Sequence, residues 1–209
     1  MITVAKSRAE WLEQRKKGIG ASEAGIILGL SPYKTNVDLW REKVGLIEAE
    51  DISDKPQVKY GNDAEPLLRA LFTIDNPQFT VSYTEFKIFW SDKHPFLFAT
   101  LDGELFDDDR NGVLEIKTTE IKNSNQWAAW DGRIPDHYYA QVCHQLIATG
   151  YDFSVLKAQI KHKGGITTRQ YHFEADNLID DMAYLLEAEK RFWQYVEQKK
   201  EPPRALPQI

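Results

Sequence analysis

Three side chains in the middle of the chain, Asp102, Glu115 and Lys117, have the types and spacing to hold a divalent ion and activate a water. In the run VLEIKTT (113–119) side chains alternate faces with period two, so Glu115 and Lys117 share one face with Val113, and Leu114 and Ile116 point to the other. In the preceding run, FLFATLDGEL (96–105), the same alternation puts Asp102 on a face with Phe98 and Thr100. A four-residue loop from Asp107 to Arg110 sets Asp102 directly opposite Glu115. The two Cβ atoms are then roughly 5 Å apart, close enough to share one ion. A competing turn signal, Asn111-Gly112, pairs Asp108 with Glu115 instead and carries Asp102 about 20 Å along the strand. The first register is adopted here because it gathers two carboxylates and a lysine beside an apolar strand. An acid and a lysine two apart also commonly mark a solvated face, and Asp-Gly a turn.

Oxygen-only ligands suit Mg²⁺, or Mn²⁺ as a substitute, far better than zinc. Hydrolysis of a phosphodiester needs a nucleophilic water at neutral pH and relief of developing negative charge, and a carboxylate-held Mg²⁺ supplies both. The five histidines, at 94, 137, 144, 162 and 172, lack the spacing of a His-metal set and are assigned structural or surface roles. Trp127 and Trp130 are expected in the core or at a subunit contact rather than as platforms for bases. Lys161-His162-Lys163 reads as an exposed turn.

The elements that must position these residues begin with Ser7 and Glu10, a capping box opening a helix that Gly18 stops. Ser22 is a candidate cap for the apolar run 24–29, and Thr35 with Asp38 opens a helix closed by Gly45. After a loop at 46–56, a longer helix runs to about Phe72, with Pro66 expected in its first turn or at a kink. The runs 79–90, 96–105 and 112–119 suggest an antiparallel meander. Residues 125–130 start a helical stretch. Pro135 opens the helix 136–149, stopped by Gly150, which carries Tyr138, Gln141 and Gln145 on one stripe. Residues 153–160 and 166–173 form a final hairpin, and 175–199 a long amphipathic helix. Helices and strands are thus expected around one sheet, in a single domain spanning 1–209.

Composition bounds the rest. With 209 residues, 42% of them hydrophobic, the chain can bury a real core. A single cysteine, Cys143, excludes an intrachain disulfide and a cysteine-ligated cluster. The net charge of −6 argues against a protein that coats DNA, whereas a metal-holding enzyme escapes that rule because its ion restores local positive charge. No signal-peptide pattern or membrane-spanning run is evident, so a soluble cytoplasmic protein without a membrane partner is expected.

Five short patterns in order resemble lambda exonuclease and its relatives, the phage-type recombination exonucleases with a PD-(D/E)xK core. They are Arg15 with Gly18-Ile19-Gly20-Ala21-Ser22-Glu23, Gly61-Asn62-Asp63-Ala64-Glu65, Thr100-Leu101-Asp102-Gly103, Leu114-Glu115-Ile116-Lys117 and Tyr138-Tyr139-Ala140-Gln141. Leu101 stands where the motif name has proline, and the Asp102–Glu115 spacing is longer than in the tightest members.

The resemblance implies a mixed α/β fold: a restriction-endonuclease-like core with a central, mainly antiparallel or mixed sheet flanked by helices. It implies Mg²⁺ on Asp102, Glu115 and the carbonyl of Ile116, Lys117 acting on the attacking water, Glu65 beside the metals and Gln141 in support. Arg15 and Ser22, with Tyr138 near the substrate, would receive a 5′ phosphate. The implied activity is 5′→3′ degradation of linear double-stranded DNA that leaves 3′ overhangs for recombination. A homotrimeric ring acting on DNA ends with a single-strand annealing protein, of phage or prophage origin in a bacterial cytoplasm, completes the implication. An endonuclease of the same core and a catalytically dead recombination adaptor are the alternatives.

Overall fold

The computed structural model describes residues 1–206. Strand β1 (Ile2–Val4) leads into helix α1 (Arg8–Arg15), whose N-cap Ser7 accepts from Glu10 N as the sequence predicts, but the box is only half formed because the Glu10 carboxylate accepts from Lys6 N at 2.8 Å instead of from Ser7 N. Strand β2 (Ile19–Gly20) is followed by a 3-10 turn (Ala21–Glu23) and the short helix α2 (Ala24–Ile27). Ser22 does not cap this helix. The Glu23 carboxylate instead accepts from Gly20 N at 2.9 Å. Helix α3 (Asn36–Lys43) carries the expected Thr35–Asp38 box.

Helix α4 (Pro56–Asp75) opens on Pro56, so Pro66 lies deep inside it rather than in its first turn. Its ring leaves the carbonyl of Asn62 without the usual helical donor. Helix α5 (Ser124–Ala128) and helix α6 (Asp136–Thr149) follow expectation, and Gly150 ends α6 with φ +69. The final segment is a 3-10 turn (Ala175–Leu178) running into helix α7 (Ile179–Glu197).

The strands form two sheets, not one. Beyond β1 and β2 they are β3 (Thr80–Ser82), β4 (Lys87–Trp90), β5 (Leu97–Ala99), β6 (Gly103–Asp107), β7 (Arg110–Glu120), β8 (Phe153–His162) and β9 (Gly165–Glu174). The first sheet has the order β1-β4-β5-β2 and the second β3-β6-β7-β8-β9. The predicted meander is therefore cut. The run 96–105 is two strands in different sheets, and the chain crosses between them at Thr100–Asp102. Face alternation does not carry through such a crossing, so Asp102 does not continue the side of Phe98. The β7–β8 pair is parallel, connected through α5 and α6.

The register of β6 and β7 is the predicted one: Gly103 pairs Leu114 and Asp107 pairs Arg110. The turn is tighter than four residues, with Asp108 at φ +51. Asn111-Gly112 lies within β7. Gly112 is needed there because a Cβ would meet the Phe153 ring at 2.4 Å. Close packing of an aromatic ring, rather than a turn, explains that glycine.

Alternation along β7 divides the core. Leu114 and Ile116 pack with Ala64, Leu68 and Phe72 of α4. Val113 packs on the opposite side with Ala140, Val142 and Leu146 of α6. The second sheet is thus held between α4 and α6, and Glu115 and Lys117 face α6.

Candidate active site

Glu115 is buried, 2% exposed, between β7 and α6. Gln141 Nε2 donates to its Oε1 at 2.7 Å and Gln145 Nε2 to its Oε2 at 2.5 Å. Lys117 Nζ lies 2.5 Å from Oε1 and 5.0 Å from the Tyr138 ring centroid. The helical stripe of Tyr138, Gln141 and Gln145 therefore meets the strand pair Glu115 and Lys117 side chain for side chain. Burial opposes the charge on Lys117, but Glu115, Asp102 and Tyr138 outweigh it and its pKa is raised.

Asp102 sits at the crossing between the sheets, and its Oδ2 accepts from Ile116 N at 2.7 Å. β6 begins at Gly103, opposite Leu114, so the edge of β7 beyond Leu114 has no β6 partner. A strand residue directs its N–H and C=O to the same edge, so the Ile116 carbonyl opens on the side where Asp102 lies. Burial, then Glu115 and Glu65, push the Asp102 pKa well above 3.8, with Lys117 and the Ile116 N–H opposing. Crowding of carboxylates in a buried place favours a nearby positive charge, part of which Lys117 supplies.

One cavity of about 320 Å³ is lined by Arg15, Ser22, Glu65, Asp102, Glu115, Ile116, Lys117 and Gln141, which brings together nearly every residue singled out in the sequence. Tyr138 lies behind it, under Lys117. Arg15 enters from the C-terminal end of α1, its guanidinium 4.3 Å from the Trp11 ring, and among the described residues it forms no ion pair. Burial lowers its pKa and Glu23 raises it. The 18–22 turn is seated tightly: a Cβ at Gly18 would meet Phe96 O at 2.6 Å, and one at Gly20 the Phe98 ring at 2.8 Å.

Two residues of the site, Lys43 and Arg69, escaped the sequence, and a third, Gln145, was legible only as part of a helical stripe. Lys43 of α3 donates to Gly18 O at 2.6 Å and pairs with Glu23 at 2.8 Å, so it fixes the turn that carries Ser22. Arg69 of α4 binds both Glu65 and the Asp102 carbonyl. Gln145 grips Glu115 as closely as Gln141 does. The tryptophans behave as expected: Trp130 is buried in the core and Trp127 packs against it. His144, fully buried, bonds Glu189 at 2.5 Å and Phe98 O at 2.9 Å, a structural role.

Among the described residues, no group of three or more His, Cys, Asp or Glu side chains stands together as a metal site. The donor chemistry nevertheless fits a hard divalent ion, because Asp102, Glu115, Glu65 and the Ile116 carbonyl offer oxygen only. Burial and the neighbouring Glu115 and Glu65 disfavour the charge on Asp102, and a cation held among them relieves that cost. No helix among the described residues is long and apolar enough to cross a membrane.

Comparison with known proteins agrees with the short patterns. A protein of Bacillus subtilis (strain 168) called uncharacterized protein YqaJ is 31% identical over 187 residues, which are 90% of this chain. The chain spans 56% of that relative's length. The structure is similar to an alkaline exonuclease from Laribacter hongkongensis, with TM-score 0.67, 18% identity, and 91% of this chain matched to 93% of that one. A phage-related exonuclease from Haemophilus somnus 129PT matches with TM-score 0.53 and 14% identity, over 88% of this chain and 96% of that one. At such identities the likeness shows the fold, the mixed α/β, restriction-endonuclease-like core expected from the sequence. Residues 10–152 match the family described as the YqaJ-like viral recombinase domain, and the chain belongs to that family.

Proposed function

We propose that this protein is a Mg²⁺-dependent exodeoxyribonuclease that degrades linear double-stranded DNA 5′→3′ from a 5′-phosphorylated end and leaves 3′ single strands for recombination by annealing. The observation that carries this reading is one cavity holding Asp102, Glu115 and Lys117 together with Arg15, an arginine in no ion pair among the described residues. Membership of a viral recombinase family, and a fold shared with proteins named as exonucleases, support it. Action as a homotrimeric ring on DNA ends, alongside a single-strand annealing protein, belongs to the same proposal. An acidic chain stays on DNA more readily when it encircles the duplex.

Asp102, Glu115 and the Ile116 carbonyl would hold the ion, with Glu65 beside them. When bound, Mg²⁺ lowers the pKa of water and offsets charge on the phosphate. Lys117 orients the attacking water and balances charge as its oxygen bonds to phosphorus. The P–O3′ bond breaks, the attacking water gives up a proton to solvent, and the departing 3′ oxygen takes one up from solvent. Gln141 and Gln145 fix the Glu115 carboxylate so that neither oxygen swings away. Arg15, with Ser22 at the mouth, receives the terminal phosphate, a dianion matched to a guanidinium.

The test is incubation with linear and closed circular duplex, in Mg²⁺ or EDTA. Loss of the linear DNA alone, in Mg²⁺ alone, is the expected result. Cutting of both forms means an endonuclease, and cutting of neither means an adaptor.

A further inference from the structure

Arg69 lies one turn beyond Glu65 on α4 and does not line the cavity. Its Nη1 donates to Glu65 Oε1 at 3.0 Å and also to the main-chain oxygen of Asp102. Its guanidinium carbon lies 3.6 Å from the centroid of the Tyr83 ring, just beyond the edge strand β3. The side chain is thus fixed by α4, by the crossing between the sheets and by the segment after β3. Asp102 is held twice, its carboxylate by Ile116 N and its carbonyl by Arg69. Among the described residues, Glu65 is held once, by the same arginine.

The crossing at Thr100–Asp102 belongs to neither sheet, so no ladder of main-chain hydrogen bonds fixes its position. Arg69 supplies the tie that a ladder would otherwise give. A planar guanidinium can stack on a ring while donating in its own plane, which an ammonium cannot do. We infer that Arg69 is a positioning residue that sets Glu65 and Asp102 in one geometry toward a divalent cation. The inference rests on the proposed metal-dependent function and concerns how this chain prepares its own ligands. Without Arg69, Glu65 is free to rotate and the crossing loses its tie to α4. The carboxylates must then be ordered when the ion binds, and affinity falls.

The experiment is calorimetric titration of the full chain with MgCl₂ and MnCl₂, for wild type, Arg69→Met and Arg69→Lys. Methionine keeps an apolar stem against Tyr83 and removes the donors. Thermal melting in EDTA reports folding separately. The expected result is at least tenfold weaker ion binding in Arg69→Met and an intermediate loss in Arg69→Lys. The Mg²⁺ concentration for half-maximal DNA degradation should rise by the same factor, with KM for DNA unchanged. Ion affinity equal to or tighter than wild type in a folded Arg69→Met protein overturns the inference and leaves the proposed function standing. Should Arg69→Met fail to fold, Arg69→Lys decides on the same criterion. A wild-type protein that takes up neither ion overturns the proposed function, and this inference with it.

Discussion

Gln145 donates its amide N–H to Glu115 Oε2 at 2.5 Å, taking the oxygen that Gln141 and Lys117 leave to it. Glu115 is therefore a carboxylate with a donor on each oxygen before any ion arrives, and α6 acts as the template that orients it. Replacing Gln145 with Leu should leave that buried oxygen without its donor, at a cost of about 1–3 kcal/mol. A chain of this size then melts about 2–4 °C lower per kcal/mol lost. Activity should fall as well, with KM for DNA little changed. Melting and steady-state rates check this, and an unchanged kcat would show that Gln141 alone suffices to orient Glu115.

Asp102 carries the pH prediction. Its pKa in the folded chain is raised, by burial first and then by Glu115 and Glu65. The folded state therefore binds this proton more tightly than the unfolded state. The resulting stability is present below the ordinary carboxylate range and is lost as pH rises through the raised value. In EDTA, wild type should lose stability from about pH 4 upward relative to Asp102→Asn, which removes the charge and keeps an acceptor for Ile116 N. At neutral pH the variant should melt higher, yet show no Mg²⁺-dependent cutting. Parallel melting curves for the two proteins across this range would refute the crowding of charge.

In the proposed mechanism Lys117 acts on the water and the developing charge, not on the ion. Lys117→Ala should keep Mg²⁺ binding, and tighten it, because a cation 2.5 Å from Glu115 Oε1 is removed. The rate of cutting should drop by orders of magnitude. Calorimetry beside single-turnover rates separates the two effects, and lost ion binding would contradict this division of labour.

Arg15 separates an end-reading enzyme from a general nuclease. A duplex with a 5′ phosphate should be degraded faster than one with a 5′ hydroxyl. Arg15→Ala should erase most of the difference, a charge-assisted contact of about 1.5–3 kcal/mol, or roughly 10- to 100-fold in rate. Initial rates on both ends at fixed salt decide it. Equal rates in wild type would sink end recognition while leaving the metal site untouched.

What the sequence disclosed follows from how local each feature is. Alternation along β7 is a property of the strand itself, so the common face of Glu115 and Lys117 was legible, as were the Ser7 and Thr35 caps and the Gly150 stop. The β6–β7 register was reached through chemistry against the stronger turn signal, because Gly112 answers to the ring of Phe153, forty-one positions away. The crossing at Thr100–Asp102 left no trace, since a strand that changes sheets keeps its apolar pattern. Pro66 reads as a helix breaker in sequence, yet α4 continues through it with its Leu68 and Phe72 side buried. Arg69 and Lys43 were not legible as site residues because each pairs with a glutamate as many surface cations do, and the bonds that tie them to the site go to main-chain oxygens, which every residue type presents alike.

The crossing between the sheets has a further consequence for the product. Arg15 and Ser22 flank β2, which pairs with β5 in the first sheet, while Glu115 and Lys117 stand on β7 in the second. On the proposed reading, a terminal phosphate received at Arg15 and a bond broken beside Lys117 would be handled by residues of different sheets that line one cavity, with the Asp102 crossing between them. Such an arrangement would act as a molecular ruler: with the end seated, one linkage along the strand would come into register with Lys117, and the length of each released piece would be set by architecture instead of by base sequence. Altering the crossing would then change the step before it changed the chemistry.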